Sequence, residues 1–249
     1  MRPTQDALAG STALVTGAAR RLGRHIALTL AANGVNVVVH YRNSAAEAAG
    51  LCRELEGRGV RAWAVRADFA DAAETGTLIE RAATVAGRLD ILVNSASEFL
   101  PGTAAEMDFD ALVRSSRINA WTPFLLGRDF ARRAGKGRIV NFLDTRIVGD
   151  DPNHAAYILG KRLLADLTRI SALAFAPGVT VNAVAPGLIL PPEGKDEAYL
   201  DRLAQGVPLK RHGSPEDVAA AVLFLLLADF VTGQIIFLDG GRHVAELGG

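Results

Sequence analysis

A chain of 249 residues, 49% of them hydrophobic, is long enough to bury a large core in one α/β domain. Its 27 Lys plus Arg balance 27 Asp plus Glu, so no global field draws in nucleic acid or an anionic membrane. The single cysteine, Cys52, excludes an internal disulfide and fits a reducing, cytoplasmic setting.

The first ten residues, MRPTQDALAG, lack the apolar segment of a signal peptide. No run reaches the roughly 18 apolar residues of a membrane span. No repeat, low-complexity tract or linker divides the chain. It is read as one domain over residues 1–249, with a cofactor half of about 10–145 and a catalytic and substrate half of about 146–249.

The apolar run Thr12–Thr16 reads as a buried strand. It ends in Gly17-Ala-Ala-Arg20-Arg21-Leu22-Gly23, and an amphipathic helix over Arg24–Asn33 follows, stopped by Gly34. Strand, glycine-bearing turn and helix together aim backbone N–H groups at a phosphate. The common G-x-G-x-x-G is absent, because Arg21 stands where a further glycine would be. A second strand, Val35–Val39, leads to His40-Tyr41-Arg42-Asn43-Ser44 and a helix over Ala45–Arg58. This is a βαβ unit. An NAD-selective site places a carboxylate after this second strand, for the ribose 2′-OH. Here Arg42 and Ser44 are placed instead to donate to a 2′-phosphate.

A third strand, Val60–Arg66, is followed by Asp68 and Phe69, and a helix over Ala72–Ala86 leads to a fourth strand, Leu89–Val93. That strand ends in Asn94-Ser95-Ala96-Ser97-Glu98-Phe99, whose small residues let a cofactor lie against the backbone. The alternation of strands and helices predicts a parallel, doubly wound sheet. A further strand, Arg138–Leu143, delivers Asp144 at its C-terminal end, where open α/β sheets bind ligands. Thirteen residues on comes Tyr157-Ile-Leu-Gly-Lys161, which in a helix puts phenol and ammonium on one face. The positive charge is expected to pull the Tyr157 pKa below its usual value of about 10. The five histidines show no metal-ligand spacing, so no metal is expected, and His154 reads as a solvated loop residue.

Thr16-Gly17, Asp68, Asn94-Ser-Ala96, Asn119, Tyr157-x-x-x-Lys161 and Pro186-Gly187 stand in the order and spacing of the short-chain dehydrogenase/reductases. The resemblance covers essentially the whole chain, through Gly233–Gly241. Within that family the chain resembles the pteridine reductases, including the bacterial dihydromonapterin reductase type. Arg21 replaces the middle glycine, Asp144 takes the place of the usual catalytic Ser, and the aromatic Phe99 follows the Asn-x-Ala-Ser turn. The chain departs from that subgroup at Ser95, where a second Asn is common, and in the short, proline-stiffened loop Leu188–Gly194.

The resemblance implies a single-domain Rossmann fold with about seven parallel strands, and NADPH as cofactor. It implies that Tyr157 delivers the proton, Lys161 lowers its pKa and binds the nicotinamide ribose, and Asn119 holds a water relaying protons to Lys161. Gly17, Arg20, Arg21, Leu22, His40–Ser44, Asp68, Phe69, Asn94–Ala96 and Pro186–Leu188 would line the cofactor. A pterin would stack on Phe99 and meet Arg21, Ser97, Asp144, Tyr157 and Leu188. An ionised Asp144 would repel a simple carbonyl, so it favours a C=N substrate. The family also implies a homotetramer built on helices Trp121–Ala134 and His154–Ala176; Ser214–Ala228 and the strand Gln234–Leu238 are apolar enough to join such a face. Two rival readings remain: a reductase of ketones or 3-oxoacyl thioesters, and a protein that binds NADP(H) without turnover.

Overall fold

The structure, a computed structural model, describes residues 5–247. The first four residues, part of the stretch read for a signal peptide, lie outside it. Seven parallel strands form one sheet in the order β3-β2-β1-β4-β5-β6-β7. They are β1 (Thr12–Thr16), β2 (Asn36–Tyr41), β3 (Ala62–Arg66), β4 (Ile91–Asn94), β5 (Gly137–Phe142), β6 (Val179–Pro186) and β7 (Ile235–Leu238). The order reverses between β1 and β4, which opens a crevice at their C-terminal ends.

The strands are near-continuous aliphatic runs because both faces are covered. Ala13 and Val15 of β1 face the core under α1 (Arg21–Ala32) and α2 (Ala45–Glu56), while Leu14 faces the core under α3 (Ala72–Ala86). The first core is completed by Val218, Val222 and Leu226 of a later helix, Pro215–Leu227. Capping explains where several helices start. Asp71 accepts from the N–H groups of Ala73 and Glu74 at the head of α3. Asp108 does the same for Ala111 at the head of α4 (Phe109–Ser116).

α4 runs through one wide turn, Arg117–Trp121, into α5 (Thr122–Ala134). Wide turns of this kind recur at functional sites, and this one carries Asn119. The long α6 (Ala155–Ala174) packs on it, followed by the short α7 (Glu197–Ala204). Next comes α8 (Pro215–Leu227), opened by a capping box between Ser214 and Asp217, and then α9 (Arg242–Leu247).

The boundaries depart modestly from expectation. α1 begins at Arg21, three residues early. β6, α4 and α7 were not read from the sequence at all. β6 is broken in pattern by Asn182, which is buried because its amide bonds Val231 and Gln234. Among the described residues no helix is long and apolar enough to cross a membrane.

The approach of α6 to the wide turn depends on Gly160, between Tyr157 and Lys161. A Cβ there would lie 3.2 Å from Asn119 Cβ and 3.3 Å from the Ser115 carbonyl oxygen. Gly160→Val is therefore expected to cost about 1–3 kcal/mol by overpacking. At about 2–4 °C per kcal/mol for a chain of this size, a thermal melt should show a fall of several degrees. An unchanged Tm would contradict the close packing.

Candidate active site

The β1–α1 turn is shaped by three backbone choices. Gly17 has φ +65°, and a Cβ on it would lie 2.9 Å from Ala96 Cα. A Cβ on Gly23 would lie 2.4 Å from the Gly17 carbonyl oxygen. Arg21 holds φ +51° without being glycine, a conformation few side chains adopt. α1 has no side-chain cap, so the N–H groups of its first turn remain for an anion.

His40 fixes this turn from below. Its Nδ1 accepts from the Gly17 N–H at 3.0 Å, so its Nε2 carries the proton and donates to the Ala67 carbonyl at 3.1 Å. Phe69 stacks on the ring at 4.6 Å. Burial pushes the His40 pKa down to about 4, so the ring stays neutral and keeps its acceptor. His40 and Phe69 thus support the floor of the site, linking the ends of β1, β2 and β3.

A cleft of about 850 Å³ runs from this turn past Tyr41–Ser44 and Asp68 to Ser95–Phe99, with Pro192 and Glu193 on one side. Its shape fits an extended dinucleotide: a glycine cradle, an uncapped helix end, and Arg42 with Ser44 after β2 in place of a carboxylate. Arg42 lies 3.8 Å from Glu98, whose carboxylate is gripped by Arg114 at 2.6 and 2.7 Å.

Arg20, Arg21 and Leu22 line this cleft, and several of the expected contact residues also make bonds within the protein. Arg20 pairs with Glu47 of α2. Arg21 donates to the Pro191 carbonyl at 2.8 Å, latching the turn to the loop after β6. Leu22 packs against the core. Asn94 is buried below the cleft, donating to Asn141 Oδ1 and the Pro123 carbonyl. A second cavity, about 630 Å³, opens at the opposite ends of β4 and β5, beside Asp90 and Arg138. It is distant from this cluster in the fold.

Beyond Phe99 the polar groups converge. Asp144, at the end of β5, accepts the Tyr157 hydroxyl at 3.0 Å. Arg146, two residues on, grips the same carboxylate with a fork: Nε to Oδ1 at 3.0 Å and Nη2 to Oδ2 at 2.9 Å. Its backbone N–H adds a third bond, at 2.9 Å. The remaining guanidinium nitrogen bonds Asp151, which also accepts from His154. Arg146 lies 4.9 Å over the Phe99 ring, His154 stacks on that ring at 4.0 Å, and Tyr157 meets its edge at 4.7 Å. Phe99 remains 48% exposed and lines the cleft.

Two expectations change here. His154 is a packed member of the cluster, not a solvated loop residue. The Tyr157 pKa is raised well above its usual range, by burial and then by the Asp144 charge, in place of the expected fall. Lys161 is itself buried, which pushes its pKa down to about 8, and its ammonium bonds the Phe142 carbonyl at 2.7 Å. Burial pushes Asp144 up, but the Arg146 fork and the Tyr157 bond outweigh it and hold the carboxyl below the usual range.

Asn119 is anchored through its side chain. Its amide donates to the Glu98 carbonyl and Ser115 Oγ, and its oxygen accepts from Ser97 Oγ and the Glu98 N–H. With all four side-chain bonds made to protein, the amide clasps the Ser97–Glu98 turn, and Pro123, four residues on, has no N–H to offer the Asn119 backbone carbonyl. The Ser97 hydroxyl thus donates its hydrogen bond to Asn119 at 2.8 Å.

Pro186–Leu188 closes the far side. The Gly187 N–H donates to Leu238 and Leu188 accepts from Gly213. A Cβ on Gly187 would lie 2.8 Å from Asp239 Cβ. Buried Asp239 in turn accepts from Thr145 and His243. Sequence reasoning missed Arg146, Glu98, Ser115 and Asp239. The Asp144-x-Arg146 spacing was the one available signal.

The family described as enoyl-(acyl carrier protein) reductase matches residues 17–243. A 3-oxoacyl-(acyl-carrier-protein) reductase FabG of Staphylococcus aureus is 33% identical, over 94% of this chain and 98% of that protein. A short-chain type dehydrogenase/reductase of Picea abies is 33% identical, over 94% of this chain and 93% of its own length. The crystal structure of FolM alternative dihydrofolate reductase 1 from Brucella suis, in complex with NADP, superposes with a TM-score of 0.90. It shares 32% identity and covers 95% of this chain and 96% of that one.

The His40 clasp generates a pH prediction. The folded-state pKa of about 4 lies below the unfolded value of about 6.5. Between these values the unfolded chain binds the extra proton, so this residue's contribution falls as pH drops through that window, by about 3 kcal/mol at most. Denaturant unfolding of the wild type should lose more stability from pH 6.5 to 4 than His40→Gln does. Equal losses would remove His40 as the cause.

Proposed function

The chain belongs to the short-chain dehydrogenase/reductase family of oxidoreductases, and on that premise we propose that it is an NADPH-dependent reductase of a dihydropteridine or related pterin. One observation carries the substrate class. The carboxylate beside the acid Tyr157 is held ionised by the Arg146 fork, at the foot of a half-exposed aromatic ring. An anion there repels the oxygen of a plain ketone. It suits a flat ring system that brings N–H donors beside its reducible C=N bond.

When bound, NADPH supplies the hydride. The N–H groups of the Gly17–Gly23 turn and the start of α1 would face its pyrophosphate. Arg42 and Ser44, with Tyr41 and Asn43, would take the 2′-phosphate. Asp68 and the Ser95–Ala96 backbone would border the adenosine and its ribose, and Pro186–Leu188 the nicotinamide. Tyr157 holds its proton toward Asp144 Oδ2 until a substrate nitrogen takes it, and the ammonium of Lys161, 5.8 Å from the phenol ring, stabilises the phenolate left behind. Phe99 offers the ring a stacking surface.

The FolM likeness supports the pterin reading, and the FabG likeness supports the rival reading of a 3-oxoacyl thioester reductase. Leu159, Ile170 and Leu173 form an exposed apolar stripe on α6, which supports a homotetramer through this helix.

Two measurements test the proposal. NADPH should be preferred to NADH, since a charge-assisted bond contributes about 1.5–3 kcal/mol. Arg42→Ala should narrow that gap mainly through KM for NADPH, and equal kcat/KM for the two cofactors in the wild type would refute the cofactor assignment. The second measurement assays the protein with NADPH against dihydrobiopterin, dihydromonapterin, dihydrofolate and an acetoacetyl thioester. Turnover of a pterin is expected, and Phe99→Ala should cut its kcat/KM by about tenfold. Activity on the thioester alone would establish the rival.

A further inference from the structure

We propose that Arg146 is a positioning residue for the acid: it keeps Asp144 an anionic acceptor aimed at the Tyr157 hydroxyl. The inference rests on the reading of Tyr157 as the proton donor. The geometry is that of a clamp. Three of the four bonds on the Asp144 carboxylate come from Arg146, through Nε, Nη2 and the backbone N–H, and the fourth is the Tyr157 hydroxyl.

The guanidinium is itself fixed from three sides. Asp151 takes its remaining nitrogen, His154 holds Asp151, and the Phe99 ring lies beneath the charge. Its planar fork has one orientation in which both carboxylates are satisfied.

The charged and titratable groups facing Asp144 are few. Arg146 comes from its own turn, and Tyr157 and Lys161 come from α6. Asp151 and His154 act on it only through Arg146. The Lys161 ammonium bonds the Phe142 carbonyl and acts on Asp144 through its charge, without the fork's paired bonds. Without Arg146, Asp144 would be a buried carboxylate with a phenol as its one partner, and burial would favour its protonated form. A protonated Asp144 is a weaker, uncharged acceptor for the Tyr157 hydroxyl and competes with Tyr157 as a donor. The hydroxyl then has no fixed direction.

The test is a titration of Asp144 itself, in the protein without cofactor or substrate, by carboxyl carbon NMR on aspartate-labelled chain. Asp144→Asn identifies the resonance. In the wild type the Asp144 signal should stay in its ionised position from about pH 8 down to about pH 5. In Arg146→Met it should titrate within that window. Arg146→Lys, which keeps the charge and loses the fork, should fall between them.

The activity arm uses NADPH with whichever of dihydrobiopterin or acetoacetyl thioester the wild type reduces. Arg146→Met should lose about tenfold or more in kcat/KM near pH 7, and the loss should shrink toward pH 9 as Asp144 ionises. A merely structural role would give a loss independent of pH. The idea is overturned if the wild-type Asp144 already titrates above about pH 5, or if Arg146→Met leaves its resonance flat. If Arg146→Met does not fold, Arg146→Lys decides: an Asp144 resonance as flat as the wild type's overturns the role of the fork. Absence of pterin activity would defeat the proposed substrate and leave this titration unaffected.

Discussion

Seven strands that all run the same way must deliver all their C-terminal ends to one edge of the sheet, and the chemistry of this chain is built on that constraint. Gly17 follows β1, Arg42 and Ser44 follow β2, Asp68 follows β3, Ser95–Phe99 follow β4, Asp144 follows β5, Gly187 follows β6 and Asp239 follows β7. The switch in strand order between β1 and β4 then parts the helices and leaves room for a ligand. No side chain need travel far. The aliphatic strands fix the edge, and the loops need only choose what to present there.

What they present is a single mobile proton surrounded by fixed charges. Tyr157 is neutral, Asp144 is an acceptor, Arg146 compensates it, and Lys161 waits buried with a softened pKa. Burial alone would drive every one of these groups toward its neutral form. The cluster avoids that by spending four hydrogen bonds on one carboxylate. The Asn119 side chain plays a parallel part: its amide spends all four bonds on Ser115 and on the turn that carries Ser97 and Phe99. The site is preorganised by saturated polar groups more than by apolar packing.

The features legible in the sequence are the local ones. A strand, a glycine turn and a helix in succession announce the cradle, and Tyr157 and Lys161 share a helix face whatever the tertiary structure. The absence of a carboxylate after β2 is equally a local fact. The features that were hidden depend on distance or on environment. His154 meets Phe99 across 55 positions, and Thr145 meets Asp239 across 94. No periodicity encodes such contacts. Arg146 is only two residues from Asp144, yet its fork depends on the tight turn that follows β5. The direction of the Tyr157 pKa shift is hidden from the sequence for a related reason. The charge of Lys161 is visible in sequence, but the burial of the phenol and its approach to Asp144, which raise the pKa, are not.

The contact across the cleft between Arg42 and Glu98 has a consequence for traffic into the site. At 3.8 Å it is a loose pairing, whereas Arg114 holds the same carboxylate by two short bonds. The Arg114 bonds hold Glu98 below the usual carboxylate range, against a smaller upward push from burial. Arg42 can therefore change partners without stranding a bare carboxylate. On the proposed role of Arg42, an incoming phosphate would replace one anion with another around the same guanidinium, and the leaving carboxylate is already neutralised. Entry is then an exchange between equivalent states, with little electrostatic barrier in either direction. A reductase that must shed its spent dinucleotide at every cycle benefits as much from that easy exit as from tight capture.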